Sequence, residues 1–153
     1  MVINAQRRPN VGPILRPIGT ATTTDHQTLL RLHISGWLRQ NRHRLQKSNV
    51  PVEISFADIM EIYELFGYKC VYCGGVADSP DHPFPLKIGG PCVPANVLPC
   101  CNSCRAKKRG NDIVQFYRDG YIPKEQLQSI IKSMFKRRGG EQVRDHIKAM
   151  YPK

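Results

Sequence analysis

Cys70-Val71-Tyr72-Cys73 and, further on, Cys101-Asn102-Ser103-Cys104 are the two segments whose reading decides how this chain folds. Each C-x-x-C turn presents two thiolates from a tight loop, and two such turns supply the four sulfurs of a tetrahedral zinc site. Cys100 to Cys104 is one residue too long for the second pair, so Cys101 and Cys104 join Cys70 and Cys73 as the expected ligands. The gap between the knuckles, residues 74–100, is 27 residues long. A simple zinc ribbon spaces its knuckles by roughly 15–20 residues, so something further is built into this loop. It holds Asp81-His82-Pro83-Phe84-Pro85-Leu86, read as a strand interrupted by prolines, and then the turn Gly89-Gly90-Pro91. The economical reading is a β-hairpin leading to a helix at the second knuckle. The Asp-His pair sets a carboxylate, a ligand for a hard cation, beside an imidazole whose ordinary pKa lies near working pH.

Outside this segment, charge is the strongest signal. The 153 residues carry a formal net charge of +11, and 41% are hydrophobic but only 8% aromatic. A core this small gains from a structural metal. Arginines and lysines crowd positions 7–47 and 105–109, whereas Asp25 is the one acid among the first fifty residues. Such asymmetry is the electrostatic footprint of a polyanion partner, above all nucleic acid, and it argues against a protein-interaction zinc module. The expected contacts are Arg39, Arg42, Arg44, Lys107, Lys108 and Arg109. Arg7-Arg8-Pro9 stands where an export signal needs an apolar run, and no stretch has the length of a membrane span. The expectation is therefore a cytoplasmic protein with no membrane partner, its six cysteines reduced and available to metal.

The pattern along the chain divides it into four parts. Residues 1–23, rich in proline, glycine and threonine, read as a flexible basic arm. Residues 24–67 read as a helical, DNA-contacting region. Thr24 and Gln27 suggest a capping box, and Leu29, Leu30, Leu32, Ile34, Trp37 and Leu38 are read as the apolar face of a helix over 25–47 with a weak point at Gly36. Ser55 and Asp58 open a second helix that Gly67 stops. Residues 68–112 form the metal-binding core, with a helix expected over 104–109. Residues 113–153 read as C-terminal helices over 112–118, 123–138 and 141–150, broken at Gly120 and Gly139-Gly140. The fold class expected is α+β, a mainly helical chain around a small ββα-metal core with a structural zinc site.

Over about residues 68–110 the chain resembles the HNH nucleases, the ββα-metal or His-Me finger group. Cys70, Cys73, Gly74, Gly75, Asp81, His82, Pro85, Leu86, Gly89, Gly90, Asn96, Pro99, Cys101, Cys104 and Lys108 fall in the family's register. The resemblance implies a DNA endonuclease using Mg²⁺ or Mn²⁺ beside its structural Zn²⁺, in a bacterial or phage-infected cell. Asp81 resembles the carboxylate that holds the divalent ion. His82 resembles the general base that takes a proton from the attacking water, and Asn96 the residue that braces the hairpin and orients the histidine. The implied products carry a 5′-phosphate and a 3′-hydroxyl.

Arg105 departs from the family pattern, which has Asn or His there as a second metal ligand. A guanidinium is permanently cationic and cannot ligate a metal. Three readings stand: Arg105 clamps the scissile phosphate, Asn102 supplies an oxygen ligand instead, or the nuclease is weak or inactive. The alternative function is a zinc-knuckle protein that binds nucleic acid without cutting it. Elsewhere the expectations are plainer. His26, His33, His43 and His146 do no chemistry, Cys92 and Cys100 pack in the core, Trp37 is a core residue, and Asp78 is a loop residue.

Overall fold

The computed structural model describes residues 23–48 and 50–153, so the expected basic arm lies outside the described residues but for its last position. Along the described residues run six helices and one two-stranded sheet: α1 (Thr23–Leu45), α2 (Phe56–Leu65), β1 (Ser79–Asp81), β2 (Leu98–Cys100), α3 (Asn102–Lys108), α4 (Ile113–Arg118), α5 (Lys124–Phe135) and α6 (Gly140–Met150). Short 3₁₀ turns at Leu86–Ile88 and Pro94–Asn96 lie in the loop between the strands. The architecture is mixed and mainly helical, consistent with the α+β class. None of the described helices is long and apolar enough to cross a membrane.

Helix α1 follows its apolar spacing only in part, since Leu29 and Leu32, expected on the apolar face, are exposed and fall off the buried stripe. Leu30, Ile34, Leu38, Asn41 and Leu45 recur every three or four residues and are buried, while Arg31, Arg39, Arg42 and Arg44 face solvent. It begins at Thr23, ahead of the expected cap, and passes through Gly36 without a break. The buried stripe outweighs the roughly 1 kcal/mol that one glycine costs a helix interior. Helix α2 opens with the expected reciprocal cap, in which Ser55 Oγ accepts from the Asp58 amide and the Asp58 carboxylate accepts from the Ser55 amide. It ends where Gly67 and Tyr68 both take positive φ, and the Tyr68 amide closes back on the Tyr63 carbonyl at 2.9 Å. That reversal delivers the chain into the first knuckle.

Two apolar clusters make the core. Leu30, Ile34, Leu38, Ile59, Ile62 and Tyr63 of α1 and α2 pack with Ala77, Cys92 and Val97 of the central loop. Phe84, Leu98, Ile113, Phe116, Ile130, Met134 and Val143 join the sheet to the three C-terminal helices. The central segment is thus held from both sides by helices.

The sheet is the expected hairpin, but its first strand lies earlier than the residues read as strand. β1 pairs antiparallel with β2 in the register Ser79↔Cys100, Pro80↔Pro99, Asp81↔Leu98. Pro83 and Pro85 have no amide to donate, so the ladder stops at Asp81 instead of running through to Leu86. The consequence is functional: Asp81 is the last paired residue and His82 the first beyond the sheet. The loop that follows folds back tightly. A Cβ on Gly90 would lie 1.8 Å from the Phe84 carbonyl oxygen. Gly90→Ala should therefore cost roughly 2–4 kcal/mol of stability, the upper range for overpacking, measured by urea unfolding of zinc-loaded protein.

Smaller differences fall at helix ends. α3 starts at Asn102 instead of Cys104 because Cys101 caps it, its sulfur accepting from the Cys104 amide at 3.4 Å. α5 stops at Phe135, short of the expected 138, and Pro123 is its N-cap, one place before the first turn.

Candidate metal centre and adjoining cleft

The two knuckles bring Cys70, Cys73, Cys101 and Cys104 together, with all four sulfurs within 4.8 Å of one another. Cys73 and Cys101 Sγ are 3.7 Å apart. A tetrahedron with metal–sulfur bonds of about 2.3 Å places its sulfurs about 3.8 Å apart. The donor chemistry fits zinc as well as the spacing does. Contacts from the thiols of Cys100, Cys101 and Cys104 push the Cys70 thiol far below its usual range. The same crowding, from Cys101 and then Cys70, pushes Cys104 far above it. Four sulfurs packed this closely cannot all ionise unless a cation sits among them. Cys100 is wholly buried beside them, its Sγ against the Cys101 carbonyl at 3.2 Å, so it lines the cluster from outside. Cys92 packs in the core as expected.

The first knuckle also reaches the Asp-His pair. Tyr72, inside the C-V-Y-C turn, donates its hydroxyl to Asp81 Oδ2 at 2.8 Å. Burial, and then the Asp81 charge, hold the Tyr72 pKa well above its usual value, so it stays a donor. Gln126 of α5 fixes the knuckle by donating to the carbonyls of Val71 and Tyr72 at 2.9 and 2.8 Å. Asn96 is fully buried across the loop. It accepts from the Phe84 amide at 3.1 Å and donates to the carbonyls of Phe84 and Pro91 at 2.8 and 2.9 Å. It therefore pins the backbone just after His82 to the loop beyond the Gly-Gly turn. The Pro94–Asn96 turn is held in its own right, since Arg137 donates to the carbonyls of Val97 and Ala95.

Asp81 and His82 open onto a cleft of about 320 Å³ walled by Trp37, Arg44, Leu86, Lys87, Arg105 and Lys108, among others. The Trp37 ring stacks on the His82 imidazole, centroids 5.0 Å apart at 28°. Trp37 is half-buried: it packs against the core as expected and also forms part of the cleft wall, which the sequence did not show. One edge of the imidazole is deeply enclosed: Nε2 is screened from solvent and has no hydrogen-bond partner. Burial, then the charges of Lys108 and Arg44, lower the His82 pKa from 6.5 to about 3. The ring is neutral at physiological pH, the state able to accept a proton.

Two further expectations change, and a third is refined. Lys108 is not a surface lysine: its side chain is 2% exposed, and its ammonium meets Asp81 Oδ2 at 3.5 Å and the carbonyls of His82 and Asn111 at 3.2 and 2.8 Å. That removes it from the set expected to meet nucleic acid. Asp78 lies in a loop as expected, but it is buried and accepts from the Asn102 amide at 2.7 Å. The Asn102 side-chain oxygen accepts from Arg105 at 3.2 Å, so it faces a guanidinium, which weighs against the ligand role read for it. Arg44 lines this cleft, whereas Arg39 and Arg42 line a second groove with His43 and Phe56. Lys107 and Arg109 are exposed.

A hard divalent cation has one carboxylate here, Asp81, in surroundings rich in positive charge. Mg²⁺ is commonly held by one or two carboxylates with substrate phosphates and water completing its shell. One carboxylate, with Tyr72 and Lys108 already on its Oδ2, makes no closed protein cage, so an ion here would need substrate and water to complete its shell. Sequence reasoning missed Tyr72, Trp37 and Gln126; of these only Tyr72 carried a signal, its place inside the knuckle. Compared with models of protein families, with curated proteins and with solved structures, the chain gives no match.

Proposed function

We propose that the protein is a DNA endonuclease of the HNH type, hydrolysing phosphodiesters to 5′-phosphate and 3′-hydroxyl ends. The observation that carries this reading is the junction of Asp81 and His82 at the end of β1, in a cationic cleft beside the four-cysteine cluster. His82 is the general base. Its neutral imidazole is held by the Trp37 stack and by the backbone that Asn96 pins. A pKa of about 3 makes it a weak base in the DNA-free protein. A phosphate entering the cleft offsets the charges of Lys108 and Arg44 and raises that pKa toward the range useful for proton transfer. Arg105, exposed at the cleft, clamps the phosphate and faces the charge that develops in the transition state. Asp81, oriented by Tyr72, would hold Mg²⁺ or Mn²⁺, which when bound stabilises charge on the scissile phosphate and the leaving 3′ oxygen.

DNA is held through its phosphates by Arg39, Arg42, Arg44, Arg105, Lys107 and Arg109, all exposed. If these six engage, affinity should fall by roughly 10³-fold between 50 and 200 mM salt. Fluorescence anisotropy with a labelled duplex measures this, and a salt-insensitive affinity would place the binding surface elsewhere.

A second reading, a zinc-dependent nucleic-acid binder without cleavage, is favoured by Arg105 in place of a ligand and by Lys108 on Asp81. Incubating supercoiled plasmid with Mg²⁺, using the parent and His82→Ala, separates the two. Hydrolysis by the parent alone supports the nuclease; binding without hydrolysis by either protein supports the binder.

A further inference from the structure

The Asp81 carboxylate already has a cation. Lys108, the last residue of α3, buries its ammonium 3.5 Å from Oδ2, the same oxygen that accepts the Tyr72 hydroxyl. Two backbone carbonyls, of His82 and Asn111, fix the ammonium there. Arg44, Lys87 and Arg105 line the same cleft, so with Lys108 its walls carry four basic side chains and one carboxylate, which Lys108 alone among them contacts. A divalent ion arriving at Asp81 meets this ammonium within a few ångströms, where repulsion is only weakly screened. We propose that Lys108 is a resident cation on Asp81 that competes with divalent metal, so that the free protein binds Mg²⁺ or Mn²⁺ weakly until an anionic phosphate joins the cleft. The inference rests on the nuclease reading only for the purpose of that metal; the competition itself is a property of the DNA-free protein.

A lysine present only to tie α3 to the strand end predicts something different. It would lower the melting temperature when replaced but leave metal affinity at Asp81 unchanged. The test is Mn²⁺ binding to zinc-loaded, DNA-free protein, followed by electron paramagnetic resonance, for the parent, Lys108→Met, Asp81→Asn and the double variant. Lys108→Met should bind Mn²⁺ about 10-fold more tightly or better, the effect of removing a like charge this close to the ion. The gain should vanish in the double variant. Unchanged or weaker binding by folded Lys108→Met overturns the proposal.

Should Lys108→Met not fold, the parent supplies the same decision. The Lys108 ammonium resonance, shielded in the free protein, should shift and lose its protection as Mg²⁺ saturates Asp81. Saturation with that resonance unmoved overturns the proposal. The two ideas fail separately. Cleavage with unaltered Mn²⁺ binding in Lys108→Met sinks the competition and spares the nuclease. Tighter Mn²⁺ binding without cleavage by any protein does the reverse.

Discussion

Chelation of zinc, or Cys104→Ser, should unfold this protein instead of leaving a folded, inactive one. Three of the four cysteines are built into the core: Cys70, Cys101 and Cys104 are buried and contribute to the apolar cluster that joins the sheet to α4, α5 and α6, while Cys73 is exposed. Cys101 caps α3, and the Cys70–Cys73 turn places Tyr72 on Asp81. A four-thiolate zinc site contributes of the order of 10–16 kcal/mol of apparent binding free energy. A whole domain is stable by about 5–15 kcal/mol, so the metal term is as large as the net stability. Without it the buried thiols are also left crowded with unfavourable ionisation. Circular dichroism should show loss of helix on adding a strong chelator and its return with zinc. Cys73→Ser should behave like Cys104→Ser, whereas Cys92→Ser, away from the cluster, should stay folded and keep its zinc. Well-folded protein with no zinc by elemental analysis would sink the idea.

What the sequence made legible, and what it hid, follows from the range of the interactions. The knuckles could be read because four ligands must come in closely spaced pairs, and the spacing alone separates Cys101 from Cys100. The α1 and α2 helices could be read because Leu30, Ile34 and Leu38, and Ile59, Ile62 and Tyr63, repeat at the helical period. Local stereochemistry also explains the one misplaced strand, since Pro83 and Pro85 end the ladder that the run from Asp81 to Leu86 suggested. The environment of Asp81 could not be read. It depends on Tyr72 from a knuckle, Lys108 from the end of α3 and Trp37 from α1, which only the tertiary packing brings together. Lys108 stood in a basic run, where charge pattern alone assigns a lysine to the surface. Trp37 stood on an apolar helical face that turns out to abut the cleft as well as the core. Asp78 was legible as loop but not as buried, because nothing local announces that its carboxylate receives the Asn102 amide.

His82→Ala should reduce the rate of phosphodiester hydrolysis by about 10²–10⁴-fold, the usual worth of a positioned base, while DNA affinity and the dependence on Mg²⁺ stay near those of the parent. On the nuclease reading affinity holds, because the proposed phosphate contacts come from the exposed arginines and lysines and the imidazole is neutral. The pH dependence gives the direction of a second effect. In the folded, DNA-free protein burial, Lys108 and Arg44 hold the His82 pKa at about 3, below the ordinary 6.5. A depressed pKa means the neutral ring favours the folded state. Its contribution is fully present above about pH 6.5 and is lost progressively as pH falls toward 3. His82→Ala should remove that component of acid sensitivity, seen as a shallower loss of stability over this window in urea titrations. In cleavage, the parent rate should fall as pH drops through the His82 pKa of the DNA complex, a limb the variant's residual activity should lack. Equal rates for parent and variant across this range would take the base assignment away from His82.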